Sequence, residues 1–471
     1  MGEEVGGRGP RLALAAALAA GAALRLWLAF SDDGIYWPDE IHQSLEQAHR
    51  LAFGYGLVPW EYIDGARTWA LPGLLAGLMK MAALIHLPEP WGYLYLVRLV
   101  FCAAGVAAAF GSYRLARALG AGELAAAAGA AFFALAAPAI YFGPRAMSEG
   151  ASAPFVVFGL ALALPRGAGR HALVLGASLL GAAVLLRLHN AAFCAALLAV
   201  LAARRDFLAL RDAGLALGAW ALILGALDWI TWGRPFNSAV AYLRFSFSEA
   251  ALQWGTSGAA YFPVTMFRSM PAALLAAAAL SLLAARRAAG LFFVVASFIA
   301  VHSLSPHKEL RFILPVLPLL GALAGLGIEA PRPPLRLAFA AALAAALVWS
   351  AARHRTLTWR DLGQYGEERA SAGAYDDQGG INRLLARAGK QPDLCGLKIE
   401  HGHAAWAGGY TYLHRRVPLY DFRGPRRESM LFNYAIGPPG APGVLVARDR
   451  GADLVKIADG CVPDHGFNFR L

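Results

Sequence analysis

Residues 12–40 read LALAAALAAGAALRLWLAFSDDGIYWPDE, an apolar run followed directly by an acidic stretch. A helix needs about 20 apolar residues to cross the hydrocarbon layer of a membrane, and Leu12–Phe30 approaches that length. Arg8 and Arg11 precede the run, so the positive-inside rule predicts a cytoplasmic N-terminus and an external first loop. No clear signal-cleavage site follows the run, which we therefore interpret as an uncleaved first membrane helix.

Composition extends this interpretation to most of the chain. Of the 471 residues, 58% are hydrophobic and 15% are charged, whereas soluble domains carry about 25% charged residues. Similar apolar runs recur at 124–142 and 271–285. The net charge of +11 is carried by arginines in short loops between such runs, a pattern that sets membrane topology. We therefore expect contact with membrane lipids and no nucleic-acid partner.

The basic clusters also order the segments across the membrane. Placing all of them on the cytoplasmic side predicts a mainly α, polytopic fold with about 11–12 membrane helices. This arrangement requires that segment 69–87 does not cross as a simple span, so we interpret it as re-entrant or interfacial. The C-terminus then lies outside the cytoplasm.

The composition changes after Ser350, where membrane-length apolar runs stop and short strand-like pieces appear. We predict a membrane domain over 1–352, which includes a first external loop at 31–68. A small external α/β domain is predicted over 353–471, a sensible size for a separate domain.

Four cysteines divide between these regions. Cys102 and Cys194 lie within apolar runs, where cysteine is usually a packing residue. Cys395 and Cys461 fall in the predicted external domain, where an oxidising compartment permits a disulfide. The sequence leaves open whether that disulfide forms.

The first external loop, WPDEIHQSLEQAHRLAFGYGLVPWEY at 37–62, carries the acids Asp39 and Glu40. After Pro38 an amphipathic pattern begins at Ile41, which predicts a helix lying along the membrane interface. Either carboxylate is a candidate general base for a substrate near the bilayer surface. The two acids are equally suited to cap the start of the helix, and the loop alone does not decide between these roles.

The segment SPHKELRF, residues 305–312, places His307, Lys308 and Arg311 between two apolar runs on the external side. Positive charge there opposes the topology rule. A phosphate ligand supplies a reason, because lysine and arginine form charge-assisted bonds to its oxygens. Glu309 is placed to orient Lys308 or Arg311. The alternative is a local salt bridge at the start of a helix.

Two further polar residues lie near predicted helix ends. Arg145 is a candidate phosphate ligand, although an arginine in such a position also extends to lipid headgroups. Asp228, at the end of an apolar run, is costly unless it is paired or exposed to water. The sequence contains no P-loop, no nucleophile elbow and no metal-type spacing of cysteine and histidine.

HKELRFILPVLPLL at 307–320 is very similar to the HKExRF-type signature of membrane mannosyltransferases that use dolichyl-phosphate mannose. That family extends the N-glycan precursor and the glycosylphosphatidylinositol anchor. The loop at 37–62 resembles the family's first luminal loop, with Trp37 where histidine is frequent. DWITWGRP at 228–235 and GGYTYLHRRVPLY at 408–420 resemble later family segments, and the matches run in family order.

The resemblance implies a C-type membrane glycosyltransferase fold and inverting transfer of mannose from a polyprenyl-phosphate donor to a glycan or glycolipid acceptor. It implies that Asp39 is the general base and that Glu40 helps to position it. No metal or other cofactor is expected. The donor phosphate is expected at four basic residues: His307, Lys308, Arg311 and Arg145. Further substrate contacts are expected from Trp60, Glu61, Glu309 and Asp228.

Two alternatives remain open: a transporter or flippase for lipid-linked sugars, and the same transferase chemistry with another sugar. A transporter is expected to show repeat symmetry between its halves, which the sequence does not show clearly. The Ala-, Arg- and Gly-rich composition suggests a bacterial source. We therefore expect an inner-membrane protein whose active site faces the periplasm.

Overall fold

The structure is a computed structural model that describes residues 3–246, 248–363, 370–375, 378–400 and 402–471. It is mostly helical, as predicted. It divides into two compact units, and each is made of two stretches of chain. The helical unit comprises Met1–Leu28 and Val100–Ala374, and the α/β unit comprises Ala29–Leu99 and Tyr375–Leu471.

Helices fill most of the chain up to Arg353, and the strands of the described residues lie beyond it. In chain order, the α-helices are α1 (Glu3–Ser31), α2 (Glu46–Phe53), α3 (Trp60–Ile63), α4 (Ala70–Leu84), α5 (Trp91–Ala118), α6 (Glu123–Leu135), α7 (Ala137–Tyr141), α8 (Ser148–Ala163), α9 (Arg170–Leu186), α10 (Ala191–Ala203), α11 (Phe207–Trp232), α12 (Asn237–Ser246), α13 (Tyr261–Ser269), α14 (Pro271–Ala284), α15 (Ala289–Leu304), α16 (Leu317–Ile328), α17 (Pro333–Arg353), α18 (Gly379–Gly389) and α19 (Gly409–Leu413). The strands are β1 (Leu397–Ile399), β2 (Leu419–Tyr420), β3 (Tyr434–Gly437), β4 (Val444–Asp449) and β5 (Ala452–Lys456).

Several helical segments are long and apolar enough to cross a membrane. Within the described residues these segments are Arg8–Ser31, Trp91–Ala118, Phe207–Trp232, Leu310–Ile328 and Pro334–Thr356. Shorter apolar helices of 10–17 residues accompany them. The protein is a multi-pass membrane protein, and the number of about 11–12 crossings stays a prediction.

Helix α4 lies inside the segment 69–87, which we interpreted from the sequence as re-entrant or interfacial. Its 15 residues extend about 22 Å, less than the roughly 30 Å thickness of the hydrocarbon layer. Other apolar helices of the described chain are equally short, so length alone does not decide whether α4 crosses. The depth at which α4 lies in the membrane stays a prediction.

The segment Leu310–Ile328 differs from the other long segments because protein encloses it almost entirely. Glycines explain how its second half, α16, approaches α6. A Cβ atom at Gly129 would lie 2.5 Å from the Gly321 oxygen, and one at Gly325 would lie 2.6 Å from the Ala125 oxygen. Such small residues allow two helix backbones to approach closely. The helix that follows the HKELRF motif is thereby fixed in the helical unit.

The C-terminal stretch forms a five-stranded sheet in the order β2-β1-β3-β5-β4. Strand β1 pairs in parallel with β2 and β3, while β5 pairs antiparallel with β3 and β4. Helix α18 packs against this sheet. Cys395 and Cys461 form a disulfide, the pairing that the sequence left open. A small C-terminal α/β fold is present as predicted.

The first loop also belongs to the α/β unit, whereas we assigned 31–68 to the membrane domain from the sequence. The predicted apolar face of its helix is buried, for example at Ile41 and Leu45. The opposite face is buried as well, including Gln47 and His49. Leu51 on α2 is exposed, so this helix is buried on most sides but still reaches the surface of the unit.

Glu46 shows why the first loop and the C-terminal stretch form one unit. Its fully buried carboxylate accepts hydrogen bonds from the backbone N–H groups of Leu57, Tyr410 and Thr411, at 2.8, 3.1 and 2.9 Å. The Thr411 hydroxyl donates a fourth bond at 2.7 Å. An ionised carboxylate offers about four acceptor positions, so these bonds fill them. Gly409 (φ +55°) is required beside it, because a Cβ there would lie 2.9 Å from Glu46 Oε2.

The substitution Glu46→Gln tests this arrangement. The amide would place an N–H₂ donor against two groups that also donate, so hydrogen bonds worth about 1.5–3 kcal/mol each are lost. We expect the thermal unfolding midpoint of the purified protein to fall sharply. Glu428→Gln, which removes the same charge from an exposed position, is the control and should leave the midpoint unchanged. Equal midpoints in the two variants would contradict the role assigned to Glu46.

Candidate active site

Asp39 immediately precedes a π-helix, Glu40–Leu45, in the first loop. The buried Glu40 carboxylate accepts a hydrogen bond from the Tyr36 backbone N–H at 3.2 Å, so it closes the turn on which Asp39 lies. The Asp39 side chain is half-buried and makes no N-cap hydrogen bond to the described residues of this helix. The two acids therefore differ: Glu40 stabilises the turn, and the capping interpretation does not apply to Asp39.

Glu61 lies close enough to Asp39 for their charges to interact. It is buried on α3, where the Gln43 side-chain amide donates to it at 2.7 Å. The Tyr62 hydroxyl in turn donates to the Gln43 backbone oxygen at 2.9 Å. Burial raises the pKa of Glu61, and the negative charge of Asp39 raises it further, to about 7. Glu61 is therefore partly protonated near neutral pH.

The C-terminal stretch fixes the segment that leads to Trp60 and Glu61. The Val58 backbone N–H donates to the Phe469 oxygen at 2.7 Å, and the Leu471 N–H donates to the Val58 oxygen at 3.1 Å. Trp60, two residues beyond this pairing, is half-buried. The positions of Trp60 and Glu61 thus depend on residues that are distant along the chain.

In the helical unit, two basic residues of the HKELRF motif, His307 and Arg311, contact Glu309. Two guanidinium nitrogens of Arg311 donate to the two Glu309 oxygens at 2.7 and 2.9 Å, and His307 Nε2 lies 3.1 Å from the same carboxylate. Burial alone would raise the pKa of Glu309, but Arg311 and His307 outweigh it and lower the pKa to about 2. Glu309 is therefore ionised and fixes the orientation of Arg311.

Reasoning from the sequence noted Arg187 as an arginine near a helix end, but it missed Glu149 and the pairing between the two residues. The fully buried Glu149 carboxylate lies 2.8 Å from an Arg187 nitrogen and 3.1 Å from an Arg311 nitrogen. Both guanidinium groups lie over the Phe312 ring, at 5.1 and 5.2 Å from its centroid. The sequence did contain a signal, since Glu149 is an acid at the start of an apolar helix, α8. Such an acid is costly in a membrane protein without a cationic partner, so a partner could have been expected.

Lys308 differs from its neighbours because no carboxylate in the described part of the chain pairs with its ammonium group. That group donates to the Ser257 oxygen at 2.7 Å and to the Ser305 oxygen at 2.5 Å. The side chain is buried, and burial lowers the pKa of Lys308. Two neutral carbonyl groups do not cancel a positive charge, so the motif keeps its excess charge at Lys308.

The other two predicted residues of the helical unit have local contacts as well. Arg145 is buried in the turn before α8, with its guanidinium 4.4 Å from the Tyr141 ring centroid. Asp228 is fully buried near the end of α11, where its Oδ2 accepts bonds from the Ser238 N–H and hydroxyl, both at 2.7 Å. These two bonds hold the start of α12. The roles of Arg145 and Asp228 toward a substrate stay predictions.

A sequence profile of the Alg9-like mannosyltransferase family matches residues 17–358, well over half of the chain. The chain belongs to this family. GPI mannosyltransferase 3 of Yarrowia lipolytica is 30% identical over 332 residues, which are 67% of this chain and 62% of that relative. GPI mannosyltransferase 3 of Drosophila melanogaster is 41% identical over 92 residues, 20% of this chain and 16% of the relative. Each alignment thus spans less than two thirds of the relative's length.

Solved structures share the fold of this Alg9-like chain. ArnT from Cupriavidus metallidurans, bound to undecaprenyl phosphate, superposes with a TM-score of 0.60 at 16% identity, over 95% of this chain and 98% of that chain. The archaeal oligosaccharyltransferase AglB from Archaeoglobus fulgidus was solved in complex with an inhibitory peptide and a dolichol-phosphate. It superposes with a TM-score of 0.55 at 12% identity, over 92% of this chain and 69% of that chain. At such identities the likeness concerns the fold alone. The predicted C-type membrane glycosyltransferase fold is confirmed.

The pH dependence of stability tests the environment of Glu61. Its pKa rises from 4.5 to about 7 on folding, so the stability that it contributes is full below about pH 4.5 and is lost as the pH rises through about 7. Glu61→Gln keeps the contact with Gln43 but does not titrate. We expect the variant to gain about 2–3 kcal/mol over the wild type between about pH 5 and pH 8, measured by thermal unfolding. A parallel pH response of both proteins would show that Glu61 does not titrate in this range.

Proposed function

We propose that this chain transfers mannose from a polyprenyl-phosphate donor to a hydroxyl group of a glycan or glycolipid acceptor, with inversion at the anomeric carbon. The observation that carries the proposal is the carboxylate of Asp39, which lies half-buried on a turn that Glu40 closes, in a member of a mannosyltransferase family. A general base needs a carboxylate that is held in a fixed position and within reach of the acceptor hydroxyl.

In the proposed reaction the acceptor oxygen attacks the anomeric carbon of mannose while Asp39 takes the hydroxyl proton. The bond from that carbon to the phosphate oxygen breaks, and the lipid phosphate leaves with the electron pair. One such displacement converts a β-linked donor into an α-linked product. Glu40 is a positioning residue in this scheme, and Trp60 and Glu61 contribute substrate contacts from α3.

The leaving phosphate gains negative charge, which preorganised cations stabilise without any proton donor. Lys308 suits this role best, because carbonyl groups and not carboxylates bind its ammonium group. His307, Arg311 and Arg145 are the other proposed phosphate ligands. Glu309 supports them by fixing Arg311, and a contact of Asp228 with substrate completes the proposed set.

The donor class has support from the fold neighbours, since ArnT was solved with undecaprenyl phosphate and AglB with a dolichol-phosphate. Both are lipid phosphates of the kind that the proposed donor carries. We place the reaction on the non-cytoplasmic face, because the acidic loop is predicted there. The two GPI mannosyltransferase 3 relatives come from eukaryotes, so a bacterial inner membrane with a periplasmic site rests on composition alone.

Transfer of radiolabelled mannose from a polyprenyl-phosphate donor by the purified protein tests the proposal. Asp39→Asn should lower kcat by at least about a hundredfold while donor binding is retained, because general-base catalysis contributes about 10²–10⁴ in rate. Asp64→Asn, at an exposed position just after α3, is the matched control and should transfer at the wild-type rate. If Asp39→Asn transferred mannose at the wild-type rate, Asp39 would not be the general base. If the wild type transferred no mannose, the proposed reaction itself would be wrong.

A further inference from the structure

Two buried hydrogen-bond acceptors lie close to the cationic cluster of the helical unit. The first is Nε2 of His302, near the end of α15. The other ring nitrogen, Nδ1, lies 2.9 Å from the Phe298 backbone oxygen, which can only accept, so Nδ1 carries a hydrogen. In a neutral imidazole only one ring nitrogen carries a hydrogen, and in His302 that nitrogen is Nδ1. Nε2 therefore presents a lone pair.

The second acceptor is Oδ1 of Asn190, in the short break between α9 and α10. Its side-chain nitrogen donates to the Ala183 oxygen at 2.8 Å, which fixes the orientation of the amide. Asn190 directly follows His189, whose ring centroid lies 5.4 Å from that of His302. Among the described residues, neither Asn190 Oδ1 nor His302 Nε2 has a hydrogen-bond partner, and both atoms are buried.

The surroundings of these acceptors indicate what chemistry they suit. The His302 ring stacks on Phe298 with centroids 4.0 Å apart, and Phe298 stacks on Phe193 at the same distance. The paired side chains of Arg187 and Glu149 lie nearby. An unpaired buried acceptor costs about 1–3 kcal/mol. Other acceptors of the described residues are also unpaired, but these two lie beside the cationic cluster, where a ligand is expected. A ligand with hydroxyl donors and apolar C–H faces, such as a sugar, has the chemistry that complements these acceptors and rings.

We propose that Asn190 and His302 accept hydrogen bonds from hydroxyl groups of the donor's sugar and thereby select it. This proposal rests on the proposed function, because it assumes a lipid-phosphate sugar as donor. Hydroxyl recognition by buried acceptors is strongly selective, since an analogue that lacks the hydroxyl leaves the acceptor unpaired. The two residues are specificity determinants and take no part in bond breaking.

Polyprenyl-phosphate mannose and its single-deoxy analogues, each without one ring hydroxyl, test the proposal by direct binding and by transfer. For the wild type, removal of the recognised hydroxyl should weaken binding at least about tenfold. His302→Phe preserves the ring stacking but removes the acceptor nitrogen. This variant should bind polyprenyl-phosphate mannose as weakly as the wild type binds the deoxy analogue, so it should no longer discriminate between the two donors. Asn190→Ala should abolish discrimination at one hydroxyl independently, which keeps the test valid if His302→Phe does not fold.

His171→Phe, the same substitution at an exposed position of α9, is the matched control and should discriminate among the analogues as the wild type does. If the wild type and both variants discriminate equally, or if the wild type binds all the analogues equally well, the acceptors do not bind the sugar and the proposal is wrong. A wild type that neither binds nor transfers polyprenyl-phosphate mannose would instead refute the proposed function, so the two failures are distinguishable.

Discussion

The ion pairs of Glu149 with Arg187 and Arg311 are the interaction on which the helical unit's site depends. A fully buried carboxylate at the start of an apolar helix is stable only with cationic partners, and Glu149 has two. These pairs connect α8, the break after α9 and the HKELRF motif. Both guanidinium groups also contact the Phe312 ring. With Arg187 and Arg311 neutralised in this way, Lys308 is the motif residue whose charge no carboxylate in the described chain offsets.

The α/β unit uses a buried carboxylate differently. Glu46 accepts four hydrogen bonds from the loop at Leu57 and from α19, without the direct ion pairs that stabilise Glu149. Glu40 similarly accepts a backbone N–H and closes the turn ahead of the π-helix. These acids are structural, and the structure they build holds Asp39 and Glu61 near each other. We therefore regard the buried polar network of each unit as the framework. Under the proposed function, Asp39 and Lys308 are the groups that act on substrate.

Several features followed from the sequence because their signals are local. Apolar runs such as Leu12–Phe30 predicted membrane helices, and the misplaced charge of SPHKELRF singled out a cluster that the structure brings together around Glu309. The apolar face beginning at Ile41 predicted a helix, and that face is buried, whereas its place along the membrane interface stays a prediction. The sequence singled out the acid pair at Asp39 and Glu40, and the structure adds that Glu40 closes the turn, while their catalytic roles stay predictions.

Other features could not be predicted because they depend on distant contacts. The pairing of Arg187 with Glu149 requires that two helix ends meet in space, and each residue alone has the pattern of an ordinary helix terminus. The grouping of the first loop with the C-terminal stretch depends on Glu46 and Thr411, which are 365 residues apart. The disulfide between Cys395 and Cys461 likewise depends on the path of the sheet. Spacing in the sequence carries no such information.

The most direct test compares two residues of the HKELRF motif, Lys308, which is proposed to bind the donor phosphate, and Arg311, which forms buried ion pairs. Donor affinity and thermal unfolding should be measured for Lys308→Ala and Arg311→Ala. We predict that Lys308→Ala loses at least about tenfold in donor affinity with a small change in stability, because it breaks no ion pair. Arg311→Ala should lower the free energy of unfolding by about 3–5 kcal/mol, because Glu309 and Glu149 both lose their ion pair with Arg311. Wild-type donor affinity in Lys308→Ala would contradict the account.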